Sequence, residues 1–499
     1  MSGERDGRGD RRHSGGKRRD GRSGGGQRER RGGDRRASAP APRAVVQDAR
    51  RAAFVVLRAV ADDDAYANLL LPREIERAGL GAADAGLATE LTYGTLRRLG
   101  TYDAIIRIAS GRETADIDPG VLDALRLGAH QLLATRVAAH AAVNEQVELA
   151  REASGRGAAG FANAVLRRVG ERDLDAWLTV VTDAARSDDE RLALRFSHPV
   201  WIIRALRRAL AGEGRVDELD ALLEADNAAP GVMMAALPGL AEPREQRAAY
   251  SPTGFALAGG DPEPLVRESG GAVRVQDEGS QLVALALTRL ALDAAEGGQE
   301  RWLDLCAGPG GKTALLAAEA RASGASLDAN EVAPHRAELV RRAVATVPGE
   351  VVVTERDGRE LAAERAGSYD RILVDAPCTG LGALRRRPEA RWRKQPGDVA
   401  DLASLQEQLL REAVGALRPG GVVAYVTCSP HLAETSAVVA RIREEFGDRL
   451  TELDAREAIR AVSRGEIDLP EPADGSGRAQ LWPHRHGTDA MFLALLRRS

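Results

Sequence analysis

The sequence predicts an open, mostly parallel α/β sheet of the Rossmann-like kind in its C-terminal half, preceded by an all-α bundle and a small connecting domain. Three observations predict this. From Val273 onward, apolar runs of strand length alternate with helical stretches, the order expected of a sheet with helices on both faces. A glycine turn, Gly308-Pro309-Gly310-Gly311, joins one such run to an Ala/Leu-rich helix. From Ala44 to Arg172 apolar residues recur at three- and four-residue steps, with no strand-like alternation.

Taken in order, residues 1–43 hold 14 Lys and Arg against 6 Asp and Glu, so the other 456 residues carry a net −12 within a total of −4. This Arg/Gly/Ser-rich arm lacks the apolar side chains that would offset its ordering entropy, and is expected to be disordered. Its charge suits a phosphate backbone. Residues 44–172 read as the helical bundle, with Leu122, Leu125, Ala129 and Leu132 on one stripe and Val143, Val147 and Ala150 on another. Residues 173–272 read as a connecting helical or α+β domain: Trp201 to Leu206 and Leu219 to Leu223 look helical, then Pro230, Pro238, Pro243 and Pro252 cut the chain into short pieces. In residues 273–499 strands are expected at Trp302–Leu305, Ser326–Ala329, Val351–Thr354, Arg371–Val374 and Val422–Val426. An amphipathic helix is expected from Leu405 to Leu417, ended by Pro419-Gly420-Gly421.

Composition excludes several classes. No run of about 18 apolar residues exists to span a membrane, and no apolar segment backs the N-terminal charges as in a secretory signal. Three widely spaced cysteines form neither a disulfide framework nor a CxxC zinc site. A monomer in a reducing cytoplasm, without metal, is expected.

The glycine loop runs Leu303-Asp304-Leu305-Cys306-Ala307-Gly308-Pro309-Gly310-Gly311-Lys312-Thr313. Glycines let a ligand approach the backbone, and the helix start offers free N–H donors. Lys312 is one of only three lysines in an arginine-dominated chain, which suggests that an ammonium is wanted there. One reading is a P-loop, whose end Gly311-Lys312-Thr313 fits. Its first obligatory glycine, however, falls on Cys306. The other reading is a site for S-adenosyl-L-methionine. It needs an acid after the second strand to accept from ribose hydroxyls, and Glu331 stands 20 residues after Gly311, with Asp328 nearby. Asp357 follows the third strand, placed for the adenine amine, and Asp375 follows the fourth. Four acids in strand order favour the second reading.

Cys378, in Asp375-Ala376-Pro377-Cys378, and Cys428, in Thr427-Cys428-Ser429-Pro430, each follow a strand-like run. A lone free cysteine is ordinarily a small buried hydrophobe; two at neighbouring strand exits beside an acid suit the chemistry of a pyrimidine. Carbon 5 of cytosine is a poor nucleophile until a thiolate adds to carbon 6, and a second base helps remove the carbon-5 proton afterwards. The Asp375–Cys378 run lacks the Pro-Pro-aromatic tetrad typical of amino-group methylation. The basic run Arg385-Arg386-Arg387-Pro388 through Arg391-Trp392-Arg393-Lys394 is the candidate grip on phosphate.

At these motifs the chain resembles the Sun/RsmB family of S-adenosylmethionine-dependent cytosine-5 methyltransferases acting on 16S rRNA. The resemblance rests on Cys306–Lys312, Pro377-Cys378, Thr427-Cys428-Ser429, Gln276-Asp277 and Pro483-His484. It implies that Cys428 is the nucleophile, that Cys378 assists product release, and that the partner is 16S rRNA or an assembling small-subunit particle. The helical part resembles the antitermination factor NusB through Leu125-Arg126-Leu127-Gly128, Gln131-Leu132, Ala142-Val143-Asn144-Glu145 and Phe161 to Arg167. Glu331 stands where the family usually has Asp. Met233-Met234-Ala235-Ala236 replaces an Arg-Val-Asn pattern, and Ala490-Met491-Phe492 a Gly-Phe-Phe one. A different class remains open at this point: a NusB-like RNA-binding or antitermination protein whose attached domain does not catalyse.

Overall fold

A computed structural model describes residues 47–292 and 298–499; the arm expected to be disordered lies outside them. The N-terminal region is helical, with helices Asp48–Asp62, Ala67–Arg77, Ala82–Arg97, Leu99–Ser110, Pro119–Ala134 and Ala139–Val169. Local signals set the boundaries. Gly111, at φ 68°, ends the fourth. Asp118 caps the fifth by accepting from the Val121 N–H, with Pro119 in its first turn. Ser154 and Gly155 break the sixth. Leu91, Tyr102, Ile105, Leu125 and Leu166 form the fully buried centre, where each such aliphatic side chain contributes about 1.5–3 kcal/mol. Trp177 of the next helix joins this core, its indole N–H donating to the Val169 carbonyl at 2.8 Å.

Helices Leu174–Asp183, Asp188–Phe196, Val200–Ala211 and Leu219–Asn227 lead into a three-stranded antiparallel sheet. Its strands are β1 (Met233–Ala236), β2 (Gly254–Ala256) and β3 (Val273–Val275), with β1 in the centre. The divergent Met233–Ala236 segment is thus a central strand, with Met234, Ala235 and Ala236 buried.

The C-terminal sheet comprises β4 (Arg301–Asp304), β5 (Ser326–Asn330), β6 (Val351–Thr354), β7 (Tyr369–Asp375), β8 (Leu417–Thr427), β9 (Leu450–Leu453), β10 (Ala479–Gln480) and β11 (Phe492–Arg498). Its order is β10-β11-β8-β7-β4-β5-β6, with β9 on β11. The β8-β7-β4-β5-β6 pairs are parallel, and β11 runs antiparallel to β8. Because β4 has β5 on one side and β7 on the other, the chain reverses its winding there. The crevice at the carboxyl ends of β4 and β7 is where such sheets bind ligands.

One expectation needs correction. The helix expected over Leu405–Leu417 starts earlier, at Pro396, and runs to Ala416. Pro419-Gly420-Gly421 does not follow it as a terminator but lies inside β8, where the register with β7 shifts between Tyr369 and Arg371. The bulge requires glycine: Gly420 has φ +81°, and a Cβ on Gly421 would sit 3.0 Å from three backbone carbonyl oxygens.

Candidate active site

The glycine loop leaves β4 and opens the helix Gly311–Ser323. Gly308 and Gly310 are required by packing. A Cβ on Gly308 would lie 2.2 Å from Glu331 Oε2, and one on Gly310, at φ +104°, 2.6 Å from Ala343 Cβ. Gly311 differs, since its Cβ would meet nothing within 4 Å. The loop therefore presents open space beside the unpaired N–H groups of a helix start. Glu331, 4% exposed, holds the loop's shape: its carboxylate accepts from the Gly308 N–H and the Ala333 N–H, each at 3.0 Å. The Arg336 guanidinium faces the same carboxylate at 3.6 Å. Asp357 caps the helix Gly358–Glu364 through the Arg359 N–H and also pairs with the Arg359 guanidinium. Asn330 ties these loops together, donating to the Leu305 and Arg356 carbonyls. Asp328, by contrast, accepts from the Tyr369 hydroxyl at 2.8 Å and faces Arg301 at 3.5 Å.

Asp304 was not singled out from the sequence, although an acid within the apolar Leu303-Asp304-Leu305 run was a usable signal. It is fully buried and accepts from the Thr313 hydroxyl at 2.7 Å. Its other oxygen has no partner among the described residues. Burial pushes its pKa up to about 7, with the Thr313 bond opposing and the Asp375 and Glu331 charges adding. An orphaned carboxylate oxygen, an open Gly311 and a free helix start together fit a cofactor that carries a cation beside a nucleoside.

Cys378 and Cys428 come together because β7 and β8 are adjacent and parallel, with Asp375 opposite Val426. Their sulfurs are 3.5 Å apart. The Cys378 hydrogen bond holds Cys428 below the ordinary thiol range against the cost of burial; Lys312 adds to this, while Asp375 and Asp489 oppose it. Cys378 is pushed well above that range by Cys428, then by burial and by Glu434. One thiolate, on Cys428, is the arrangement the charges favour. Lys312 does not stay with the glycine loop. Its Nζ donates to Asp375 Oδ2 at 2.8 Å, and although burial pulls its pKa down, Asp375 and Cys428 raise it on balance.

Glu434, fully buried in the short turn Leu432–Glu434, was also missed. Its Oε1 accepts from the Thr379 N–H at 2.7 Å, and its Oε2 accepts from the Ser429 hydroxyl at 2.7 Å and from the Thr379 hydroxyl. A single carboxylate thus pins the residue after each cysteine. Gln406 completes the clamp by donating to the Pro377 carbonyl at 2.7 Å. The only sequence signal was a Glu six residues past Cys428, which spacing alone does not distinguish from a surface charge.

Cys306 packs beneath the loop against the apolar core, and burial pushes its thiol up. The basic run departs most from expectation. Arg385 and Arg386 both pair with Asp277 and Asp489. Arg391, fully buried, donates to the carbonyls of Arg97, Ser197 and Asp226 and to Asn227. Arg393 donates to the carbonyls of Val60 and Ala65. Arg391 and Arg393 thus tie the helical bundle and connecting domain to the C-terminal region, because buried orphan carbonyls need donors and a planar fork reaches several at once, whereas Arg385 and Arg386 pair within that region. Arg387 remains exposed, over the ring of Tyr66. His484 lies 2.8 Å from Glu218, and Asp277 caps the helix Glu278–Thr288.

An α/β sheet of this order, with its glycine loop at the winding reversal, is a Rossmann-like fold. Residues 290–497 match the family described as 16S rRNA methyltransferase RsmB/F, and residues 47–171 match the NusB family. The Mycobacterium tuberculosis protein Rv1407, whose name reads methyltransferase and nothing narrower, is 49% identical over 464 residues, spanning 91% of this chain and 98% of that protein. Ribosomal RNA small subunit methyltransferase B of Erwinia tasmaniensis is 30% identical over 435 residues, spanning 84% and 91%. The crystal structure of PH0851 shares the fold at a TM-score of 0.72, with 21% identity over 92% of this chain and 100% of that one. The chain belongs to the RsmB (Sun) family of rRNA methyltransferases, with a NusB-type bundle at its N-terminal side.

Proposed function

We propose that the chain methylates carbon 5 of a cytosine in 16S rRNA, using S-adenosyl-L-methionine and a covalent bond between Cys428 and carbon 6. The observation that carries this is the 3.5 Å pair of thiols with unequal acidities, beside the Lys312–Asp375 ion pair. The cofactor is expected on the Cys306, Ala307, Gly308, Pro309, Gly310, Gly311 and Lys312 loop, with Glu331 toward the ribose, Asp357 toward the adenine and Asp375 at the boundary with the base. When bound, it supplies a methyl group as an electrophile, its sulfur keeping the electron pair of the broken bond.

The chain's own residues do the rest. The Cys428 thiolate forms a bond to carbon 6, and the displaced C5–C6 π pair makes carbon 5 nucleophilic. Asp375 and Lys312 offer an acceptor and a donor to the edge of the ring. Once Cys428 is bonded to carbon, its negative charge is gone, and with it the largest influence holding Cys378 protonated. Cys378 can then release its proton to solvent and take the carbon-5 proton. The C–H pair re-forms the C5–C6 double bond, and the C6–S pair returns to Cys428. Bisulfite sequencing of 16S rRNA from cells with and without this protein tests the reading: one protected cytosine should become unprotected in its absence, and an identical pattern in both would overturn it.

A further inference from the structure

A groove of about 570 Å³ lies between the helix Val200–Ala211 and the start of the helix Pro396–Ala416, with His431 and Ala433 also on its wall. Every ionisable residue lining it is basic: Arg204, Arg208, His431 and Arg441. Four other cavities among the described residues mix signs, around Glu213 and Arg478, Arg443 and Glu452, Arg126 and Asp62, and Arg460 and Glu466. In a body that carries a net −12 outside its first 43 residues, a cavity lined by base alone is an exception that needs a reason.

Local structure explains how it arises. Ile202, Ile203, Ala205 and Leu206 bury one face of the helix Val200–Ala211, which leaves Arg204 and Arg208, four residues apart, on the opposite face. Arg204 pairs with Asp189, and Arg441 with Glu407. Arg208 is exposed and has no hydrogen bond or ion pair among the described residues. His431 Nδ1 accepts from the Ala433 N–H at 3.2 Å, so its proton sits on Nε2, available to donate. Trp201 adds an aromatic surface on which a base can stack.

The groove is also close to the thiols. His431 follows Cys428 by three residues, so their Cα atoms are separated by no more than about 11 Å. A cytosine attacked at carbon 6 has to leave its stack, and the strand beside it is then locally single.

We propose that this groove holds the phosphodiester backbone of the RNA strand next to the target cytosine, an inference that rests on the function proposed above. Arg208 is the principal phosphate contact, with the His431 Nε2–H as a second donor and Trp201 as a stacking surface. The connecting domain thereby has a role that neither the helical bundle nor the cofactor loop supplies: it closes the path of the substrate strand.

The test uses the full chain and a 16S rRNA transcript, with affinity measured across a salt series for the wild type, Arg208→Glu, Arg208→Gln and a charge-matched control, Arg460→Glu, from a mixed-charge cavity. Arg208→Glu should weaken binding about tenfold and flatten the log–log salt slope by about one, with Arg208→Gln intermediate. Affinity for S-adenosyl-L-methionine should be unchanged in all, and Arg460→Glu should bind RNA as the wild type does. Wild-type affinity and slope in both Arg208 variants would overturn the groove, as would an equal loss in Arg460→Glu, since net charge would then explain everything. Failure of the wild type to methylate any cytosine of the transcript would instead defeat the proposed function, while the Arg208 comparison would still decide the groove.

Discussion

At the ends of β4, β5 and β6 the site is shaped by backbone: Gly308 and Gly310 leave no room for a side chain, and Glu331 and Asn330 bind main-chain atoms. At the ends of β7 and β8 it is shaped by side chains, with Glu434, Gln406, Lys312 and Asp375 fixing two sulfurs and their charges. Both halves sit on one sheet, yet they should fail differently. A backbone cradle breaks when a Cβ is added. A side-chain network breaks when one acceptor is removed, and it leaves the cradle intact.

The largest effect is expected from Gly310→Val. Beside the clash with Ala343 Cβ, a non-glycine residue held in so sparsely populated a conformation costs about 1–3 kcal/mol. Calorimetry should find no S-adenosyl-L-methionine binding, and the melting temperature should fall. Gly311→Val sharpens the contrast: with open space around its Cβ, it should melt like the wild type and still bind cofactor more weakly, because only the ligand would meet the new side chain. Wild-type affinity in Gly311→Val would place the ligand elsewhere.

On the other half, Glu434→Ala should lower methyl transfer by about a hundredfold, the scale expected when reacting groups shift by about 1 Å. Cofactor affinity should not change. Glu434→Gln should recover much of the rate, since the Thr379 and Ser429 hydroxyls can turn to accept from an amide. A variant that lost cofactor binding along with rate would show the two halves to be one unit. Lys312→Met should act on charge. It removes a cation that favours the Cys428 thiolate and frees Asp375, which disfavours it. Both changes raise the pKa of Cys428, so the acidic limb of the kcat/KM profile should move to higher pH; an unmoved limb would separate Lys312 from the thiol. Glu331→Ala should cost about 1–3 kcal/mol of cofactor affinity, measured by titration calorimetry.

The same contrast governs what could be read from the sequence. The glycine-loop half of the candidate site was legible as geometry because its determinants are contiguous: a strand, a glycine turn and a helix start within eleven residues, followed by acids at successive strand ends. Cys378 and Cys428 were legible because each closes an apolar run, and parallel strands carry their chemistry at one edge. Glu434 was not, since its meaning comes from two loops that converge on it from positions 379 and 429. Arg391 misled for the same reason. Its charge suggested a solvated phosphate grip, but tertiary structure buries it against the orphan carbonyls of two other regions. Pro419-Gly420-Gly421 misled locally, because the residues that end helices are also those that make a bulge.

In the proposed mechanism the two thiols have different roles, with Cys428 attacking and Cys378 releasing. The most direct measurement is denaturing electrophoresis of Cys378→Ala after incubation with 16S rRNA and S-adenosyl-L-methionine. Methyl transfer should proceed but elimination should stall, so a protein–RNA adduct should accumulate, and adding Cys428→Ala to the same chain should abolish it. An adduct that forms in Cys428→Ala and not in Cys378→Ala would exchange the two roles and contradict the account.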